Sequence, residues 1–582
     1  MTMSPRWQAA VRQLNRQNPL VAQSRTYLGP RTASCSLHTC TLVPRRVYPL
    51  QSRVLRLAQY SRSISSRRRS HAGKNEGTTR NTSPLALQSR FPTKTVLFLA
   101  VLGTAMYFLV SVEEFESTGG AQAHFFPNMD AVEHWLQNTA PPDFTHLSAM
   151  ATAASHRFHE VVDGWQVPEE ASRQFGIPIT HGCRYEGNAN CEDYYIFGSG
   201  PGVADRHWSY WSIFDGHAGH RTAHLLQTKM HPSLSRALYT LPPNTATSVI
   251  HDTIKSVFIT LDRDIMTQAR HAANWYPAAS FSALLPLMNA FAGSCALVAA
   301  FDPEKNKLHV ACTGDSRAVL GRWDELEGKY VAQPLSVDQT GFNESEVARI
   351  KAEHPDEPEI LNPTTGRLLG LAVTRAFGDH RWKWDNDFVK ACQVKFFGPA
   401  PRPHNATPPY LTAEPEITET DIIRADAPQT PNSRPTARSD FMIMASDGLW
   451  DHMSSDVAVA CVSQWLEARA RSPDGLVSND PQRPPFHLSN TLDPGIHFSV
   501  EDGKEVTWQA EPQYFAIEDD NAAVCLTRNA LGGTRRSLFS GILCLPPSVL
   551  RDATDDTTVM VVFFDRLAEP TVQEKKSWWW PF

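Results

Sequence analysis

Phe214-Asp215-Gly216-His217-Ala218-Gly219 closes the apolar run from Trp208 to Phe214, and aspartates stand at comparable strand ends at Asp447 and Asp555, hundreds of residues away. A lone Asp-Gly pair is ordinary turn chemistry, because both residues tolerate the backbone angles that turns require. Three aspartates at the ends of hydrophobic strands are a different signal. Where strand ends converge, such carboxylates come within reach of a hard divalent cation, Mg²⁺ or Mn²⁺, which takes oxygen ligands and keeps several waters.

The elements that must position them are legible in outline. Short apolar runs with aromatic and β-branched residues and turn-rich boundaries predict strands over 194–197, 208–214, 294–301, 308–312, 318–320, 441–445 and 557–564. Helical stretches alternate with them over 220–230, 248–269, 344–353 and 456–471, so a layered α+β domain with a large central sheet system is expected. Pro-rich stretches near 398–415, 427–435 and 479–494 read as surface loops or insertions, and no internal repeat is present.

The net charge of −6 over 582 residues conceals two regimes. Residues 1–94 hold 15 Arg and 2 Lys against Glu76 alone, a charge of +16, which leaves −22 for the remainder. This Arg-rich, Ser-rich, acid-poor region, with Trp7, Val11 and Leu14 among Arg6, Arg12 and Arg16, reads as a mitochondrial targeting region. Arg67-Arg68-Arg69 has no recognised nucleic-acid-binding module beside it, so no nucleic-acid partner is expected. Residues 95–112 run without a charge between Lys94 and Glu113-Glu114 and would span about 27 Å as a transmembrane helix. Basic residues before the span and acids after it predict an inner-membrane anchor, with the following domain facing the intermembrane space; the matrix is the alternative if the helix is cleaved or passed through. A linker over 113–170, with a helix at 131–138, a catalytic domain over 171–567 and a tail over 568–582 complete the expected organisation. The ten cysteines contain no C-x-x-C pair and no partnered His spacing, which argues against a zinc site, a disulfide framework or a catalytic thiol.

Seven segments, in order, carry a family likeness: Cys191-Glu192-Asp193, Phe214-Asp215-Gly216-His217-Ala218-Gly219, Gly293-Ser294-Cys295-Ala296, Thr313-Gly314-Asp315-Ser316-Arg317-Ala318, Thr374-Arg375-Ala376-Phe377-Gly378-Asp379, Ser446-Asp447-Gly448-Leu449-Trp450-Asp451 and Asp555-Asp556-Thr557-Thr558-Val559. The series resembles that of the metal-dependent type 2C protein phosphatases over roughly residues 180–566. Pro408-Pro409-Tyr410-Leu411-Thr412-Ala413-Glu414-Pro415-Glu416 and Asn521-Ala522-Ala523 are similar to the mitochondrial pyruvate dehydrogenase phosphatase branch.

The resemblance implies a central β-sandwich of two antiparallel sheets flanked by helices, with two metal ions in a cleft at one end. Asp215 would bridge the ions. Glu192 and the Gly216 carbonyl would serve one ion, Asp447 and Asp555 the other, and Asp193 would orient the attacking water. Asp315 with Asp447 or Asp451 resembles a weaker third-metal site, and Asp379 lies near the same cleft. The implied substrate is a phosphoprotein, with the pyruvate dehydrogenase complex as a candidate. Such chemistry needs cations, because a phosphate monoester dianion repels nucleophiles, and it needs a proton for the departing serine or threonine oxygen, for which His217 is the candidate general acid. Two positions depart from the common pattern: Asn188 stands where many members place a phosphate-binding arginine, and Thr554 where an arginine often precedes the last metal aspartate. The alternative function is an inactive phosphatase-fold scaffold, whose signature would be lost metal ligands, yet every one of these acids is in place.

Overall fold

Along 441–445, Met442 and Met444 pack into one core while Phe441, Ile443 and Ala445 pack into another, the period-two alternation of a strand buried on both faces. A computed structural model describes residues 156–188, 190–425, 438–471, 508–545 and 547–565, together with 129, 499–501, 504–506 and 567. The basic region 1–94, the apolar span 95–112, the helix expected at 131–138, the stretches 427–435 and 479–494 and the tail 568–582 lie outside the described residues. Among the described residues no helix is long and apolar enough to cross a membrane.

The strands are β1 (Val162–Gln166), β2 (Ile179–Tyr185), β3 (Tyr194–Pro201), β4 (His207–Phe214), β5 (Gly216–His217), β6 (Gly293–Ser294), β7 (Ala296–Asp302), β8 (Lys307–Thr313), β9 (Arg317–Asp324), β10 (Lys329–Pro334), β11 (Phe377–Gly378), β12 (Glu416–Asp421), β13 (Phe441–Ala445), β14 (Ser499–Glu501), β15 (Lys504–Val506) and β16 (Thr557–Phe563). Six form an antiparallel sheet in the order β1-β2-β16-β13-β9-β10, and five form a second in the order β12-β8-β7-β4-β3. Their facing sides share one core that includes Trp211, Leu297, Phe301, Leu320, Met444 and Val562. Truncating such a residue to alanine costs about 2–5 kcal/mol, because the surroundings only partly close over the cavity. Trp211 Nε1 donates to Thr180 Oγ1 at 3.0 Å, which joins β4 to β2 and satisfies the one polar atom of a fully buried indole.

Helices cover both outer faces. In chain order they are α1 (Glu169–Phe175), α2 (Arg221–Tyr239), α3 (Thr247–Trp275), α4 (Phe281–Phe291), α5 (Glu344–Glu353), α6 (His380–Lys383), α7 (Asn386–Phe396), α8 (Asp447–Trp450), α9 (Ser455–Arg471), α10 (Ala522–Ala530), α11 (Arg536–Cys544) and α12 (Pro547–Ala553). Leu226, Met230, Leu234 and Leu238 recur at helical spacing on α2 and join residues of α3, α4 and α7 over the five-stranded sheet. The six-stranded sheet is covered by α9, α10 and α11, where Trp465 is fully buried.

The expected sandwich of antiparallel sheets flanked by helices is the fold observed, and it differs locally from the sequence expectation: β2, β10, β12 and α4 are not among the expected elements, and three further differences bear on the site and the sheet. The strand expected over 294–301 is broken at Cys295, whose N–H leaves the ladder and donates to the Asp215 carbonyl at 2.8 Å. The helix expected over 220–230 continues to Tyr239 through Pro232. The sheet also takes in β1, which the sequence places in a linker: Trp165 lies over Gly182 and stacks on Phe197 at 4.3 Å between ring centroids.

Helix α5 is tied to the segment leading into the 377–379 turn through the buried Glu346. Its Oε1 accepts from Arg375 Nη2 at 2.6 Å, and its Oε2 accepts from Arg349 Nη2 at 2.8 Å and Thr374 Oγ1 at 2.7 Å. Burial works against the charged form, but the hydrogen bonds from Arg375 and Arg349 outweigh it and hold the pKa at about 2. Glu346→Gln is therefore expected to cost about 3–5 kcal/mol in chemical denaturation at neutral pH, because it leaves guanidinium groups short of their anion. A depressed carboxylate stabilises fully above its ordinary value of 4.5 and loses that contribution as the pH falls towards 2. The gap between wild type and variant should narrow over that window; a gap that does not change with pH would contradict this account.

Candidate active site

One end of the sandwich collects the acids singled out in the sequence, because each lies where a strand begins or ends there. Asp215 follows β4, and Glu192-Asp193 precede β3, whose Tyr194 is paired with Phe214. Asp315 sits in the connection from β8 to β9, which crosses between the sheets, and Arg317 at the start of β9 faces Ala445 at the end of β13. Asp447 lies just beyond that end, and Asp555 just before β16.

Carboxylate oxygens of Asp215, Asp315 and Asp447 all lie within 4.8 Å of one another, an arrangement able to hold a metal ion. Glu192 and Gly216 are in close main-chain contact: a Cβ at position 216 would stand 2.5 Å from the Glu192 carbonyl oxygen, so the approach requires glycine. Asp193 is buried and accepts from Ser446 Oγ at 2.7 Å. Asp555 Oδ1 accepts from Asn188 Nδ2 at 2.7 Å. The N–H of Asp451 donates to the Asp447 carbonyl at 2.8 Å, one helical turn on. Asp556 supports the acidic pair, its two oxygens accepting the main-chain N–H of Asn188 at 3.0 Å and of Glu192 at 2.7 Å.

These carboxylates strain one another. Burial, and then the charges of Asp447, Asp193, Asp315 and Asp555, push the Asp215 carboxyl well above the usual carboxylate range. Burial and the Asp556 charge do the same to Asp193, and burial raises Glu192. An oxygen-only, mutually repelling donor set suits hard divalent cations, whose charge relieves the repulsion.

His217 stands at the edge of this cluster, with its side chain one quarter exposed and its Nε2 2.6 Å from Asp379 Oδ2. Burial alone would lower the imidazole pKa, but the charge and hydrogen bond of Asp379 reverse this and raise it. A small sheet in the order β11-β6-β5 brings the pair together. From α3, Asp262 accepts the Gly378 N–H and one hydrogen bond from Lys383 Nζ, both at 2.8 Å, and so fixes the main chain beside Asp379.

The structure thus gathers Asp215, Asp315 and Asp447 as one carboxylate cluster, with Glu192, Asp193 and Asp555 next to it. Asn188 turns its amide to Asp555. Sequence reasoning missed three supports: Asp379 as the partner of His217, Ser446 as the donor to Asp193, and Asp556 beneath the acidic pair. All three lie within the motif segments, but nothing in the linear sequence pairs them with the groups they support.

A profile of the protein phosphatase 2C family matches residues 174–481. The chain is 35% identical over 387 residues to a protein phosphatase 2C homolog of Schizosaccharomyces pombe, a match covering 65% of this chain and 78% of the relative. It is 31% identical over 385 residues to the mitochondrial pyruvate dehydrogenase (acetyl-transferring) phosphatase 1 of Saccharomyces cerevisiae, covering 62% and 63% of the two chains. The Bos taurus protein of that name is 33% identical over 332 residues, covering 54% of this chain and 55% of the relative.

Gly293 offers a direct test of the small sheet, because a Cβ there would lie 2.1 Å from both His217 Nε2 and Asp379 Oδ2. Gly293→Ala should force the two side chains apart and cost about 1–3 kcal/mol in chemical denaturation. A crystal structure of the variant that retains the 2.6 Å contact would disprove this role for the glycine.

Proposed function

We propose that this chain, which belongs to the protein phosphatase 2C family and is a protein serine/threonine phosphatase, hydrolyses phosphoserine and phosphothreonine using water activated by two divalent cations. The observation that supports divalent-cation chemistry is the convergence of Asp215, Asp315 and Asp447 from separate strand ends, with carboxylate oxygens within 4.8 Å of one another and the charges of Asp193 and Asp555 acting on the same Asp215 carboxyl. In this reading Asp215 would contact both ions, the Gly216 carbonyl and Glu192 would complete one site, and Asp447 and Asp555 the other. Asp315, with Asp447 or Asp451, would form a third and weaker site. When bound, Mg²⁺ or Mn²⁺ would offset the phosphate's negative charge and lower the pKa of water towards neutrality.

The chain's own residues supply the rest. Asp193, fixed by the 2.7 Å hydrogen bond from Ser446, would orient the attacking water. His217 would give its proton to the serine or threonine oxygen as the P–O bond breaks, and the raised pKa of its imidazole favours carrying that proton. Asp379 would act as a positioning residue, holding the ring through Nε2. Asn188, engaged with Asp555, would tune that carboxylate rather than grip the phosphate as an arginine does.

Relatives named as mitochondrial pyruvate dehydrogenase phosphatases, and the basic N-terminal region, support a mitochondrial address and a pyruvate dehydrogenase-type phosphoprotein as substrate. The span 95–112 supports an inner-membrane anchor with the catalytic domain in the intermembrane space, whereas a dehydrogenase substrate favours the matrix.

Three outcomes test this reading. Asp215→Asn, or removal of divalent cations by chelation, should abolish phosphopeptide hydrolysis, with Mg²⁺ or Mn²⁺ restoring only the chelated wild type; activity surviving either treatment would end the two-cation proposal. His217→Ala should slow phosphopeptide hydrolysis by about 10²–10⁴ and aryl phosphate hydrolysis far less, since the better leaving group needs little protonation. Equal losses would remove the leaving-group role. Protease treatment of mitoplasts should digest the catalytic domain if it faces the intermembrane space; digestion only after detergent would put it in the matrix.

A further inference from the structure

Away from the carboxylate cleft, three metal-competent side chains meet on the outer face of the five-stranded sheet. His309 lies on β8, Glu419 faces it in register from β12, and His251 projects from α3. His309 Nδ1 is 3.4 Å from His251 Nε2 and 3.7 Å from Glu419 Oε2, and one ligand atom of each residue falls within 4.8 Å of the other two. His309 is four residues before the end of β8 at Thr313, about 13 Å along the strand, and Asp315 follows in the turn beyond it, so this cluster is separate from the cleft.

The spacing suits a tetrahedral ion. With metal–ligand bonds of roughly 2.0–2.1 Å, neighbouring ligand atoms of a tetrahedron stand about 3.3–3.4 Å apart. As hydrogen bonds these contacts are poor, since 3.4 Å is long for a nitrogen pair and 3.7 Å is beyond the range. One ring nitrogen, His309 Nδ1, faces two groups and can donate to only one of them.

The surroundings hold the three groups in place. His309 is buried and its ring lies 5.5 Å from and nearly parallel to the Trp208 indole, with 8° between the planes. Lys307 Nζ is 3.0 Å from Glu419 Oε1, leaving Oε2 turned to the histidines, and Thr247 Oγ1, one turn before His251, donates to Oε2 at 2.7 Å. Hydrogen bonds that orient a ligand carboxylate are the usual support of a metal site.

We propose that His251, His309 and Glu419 bind a single Zn²⁺ ion that clamps α3 to β8 and β12, with water in the fourth position. Two imidazoles select zinc over Mg²⁺, which takes oxygen ligands. Lys307 offsets the charge of Glu419, so affinity rests mainly on the nitrogens. The cysteine pattern, which argues against a zinc site, does not bear on this one: its ligands come from three separate elements with no short spacing motif.

The test uses the full chain carrying Asp215→Asn, which weakens metal binding in the cleft, equilibrated with Zn²⁺ and then dialysed. Elemental analysis should find about one retained equivalent of zinc, and Co²⁺ in its place should give the intense visible bands of a tetrahedral ion rather than the weak ones of an octahedral oxygen site. Adding His251→Ala, on the half-buried helix face, should remove both signals and abolish the rise in melting temperature that Zn²⁺ produces. Glu419→Gln, close in shape, should weaken retention at least tenfold. Circular dichroism of the metal-free variants establishes that they fold. Zinc retained equally with His251→Ala, or no retained zinc in the parent, would overturn the proposal, and neither result bears on Mg²⁺-dependent activity in the cleft.

Discussion

Like charges held together in a poorly solvated cleft are the constraint on which this molecule is organised. Asp215, Asp315 and Asp447 stand with carboxylate oxygens within 4.8 Å of one another, and burial raises the pKa of Asp215 before any neighbour is counted. Groups that repel so strongly would separate if they stood on mobile loops. They stand instead at the ends of β4, β8 and β13, strands that are themselves buried. The rigidity of the sandwich core thus bears directly on the chemistry, since the hydrophobic burial of two sheets opposes electrostatic repulsion at one edge of them.

Close main-chain approach is the second requirement. Gly216 admits the Glu192 carbonyl, and Gly293 leaves the space in which His217 meets Asp379. The buried Gln339 holds the β8–β9 connection from within, its Oε1 accepting the Gly314 N–H at 2.8 Å and its Nε2 donating to the Cys312 carbonyl at 3.1 Å. Asp315 is therefore presented by a turn braced at Cys312 and Gly314 by the Gln339 side chain.

The sequence is most readable where apolar periodicity and special residues coincide. Apolar runs predict β4, β13 and β16 closely, and the acids at their ends lie in the cleft as the motif order implies. Elements outside the expected set are missed for different reasons: β1 and β12 are half-exposed edge strands with polar sequences such as Glu416-Ile417-Thr418-Glu419, α4 carries Pro286 inside a helix, and the buried β2 has its apolar run interrupted by His181 and Gly182. The break at Cys295 depends on a hydrogen bond to a residue on another strand, which no local pattern encodes. The same holds for the pairing of His217 with Asp379, 162 residues apart, and for Asn188 with Asp555.

Helix α3 connects features that look unrelated along the chain. Near its start His251 meets β8 and β12; eleven residues on, about 16 Å along the axis, Asp262 holds the Gly378 N–H. Between them Phe258 packs on Phe377 with ring centroids 5.5 Å apart. A helix of 29 residues docked at both points acts as a strut, because its rise per residue is fixed and its apolar face is buried. Whatever anchors its first turns to the sheet therefore also constrains β11, and through β11 the orientation of Asp379 against His217. The imidazole-containing cluster and the all-carboxylate cleft are thereby kept apart in ligand chemistry while being joined mechanically, so that an ion bound by the histidines would steady the framework without drawing on the hard cations that the carboxylates suit.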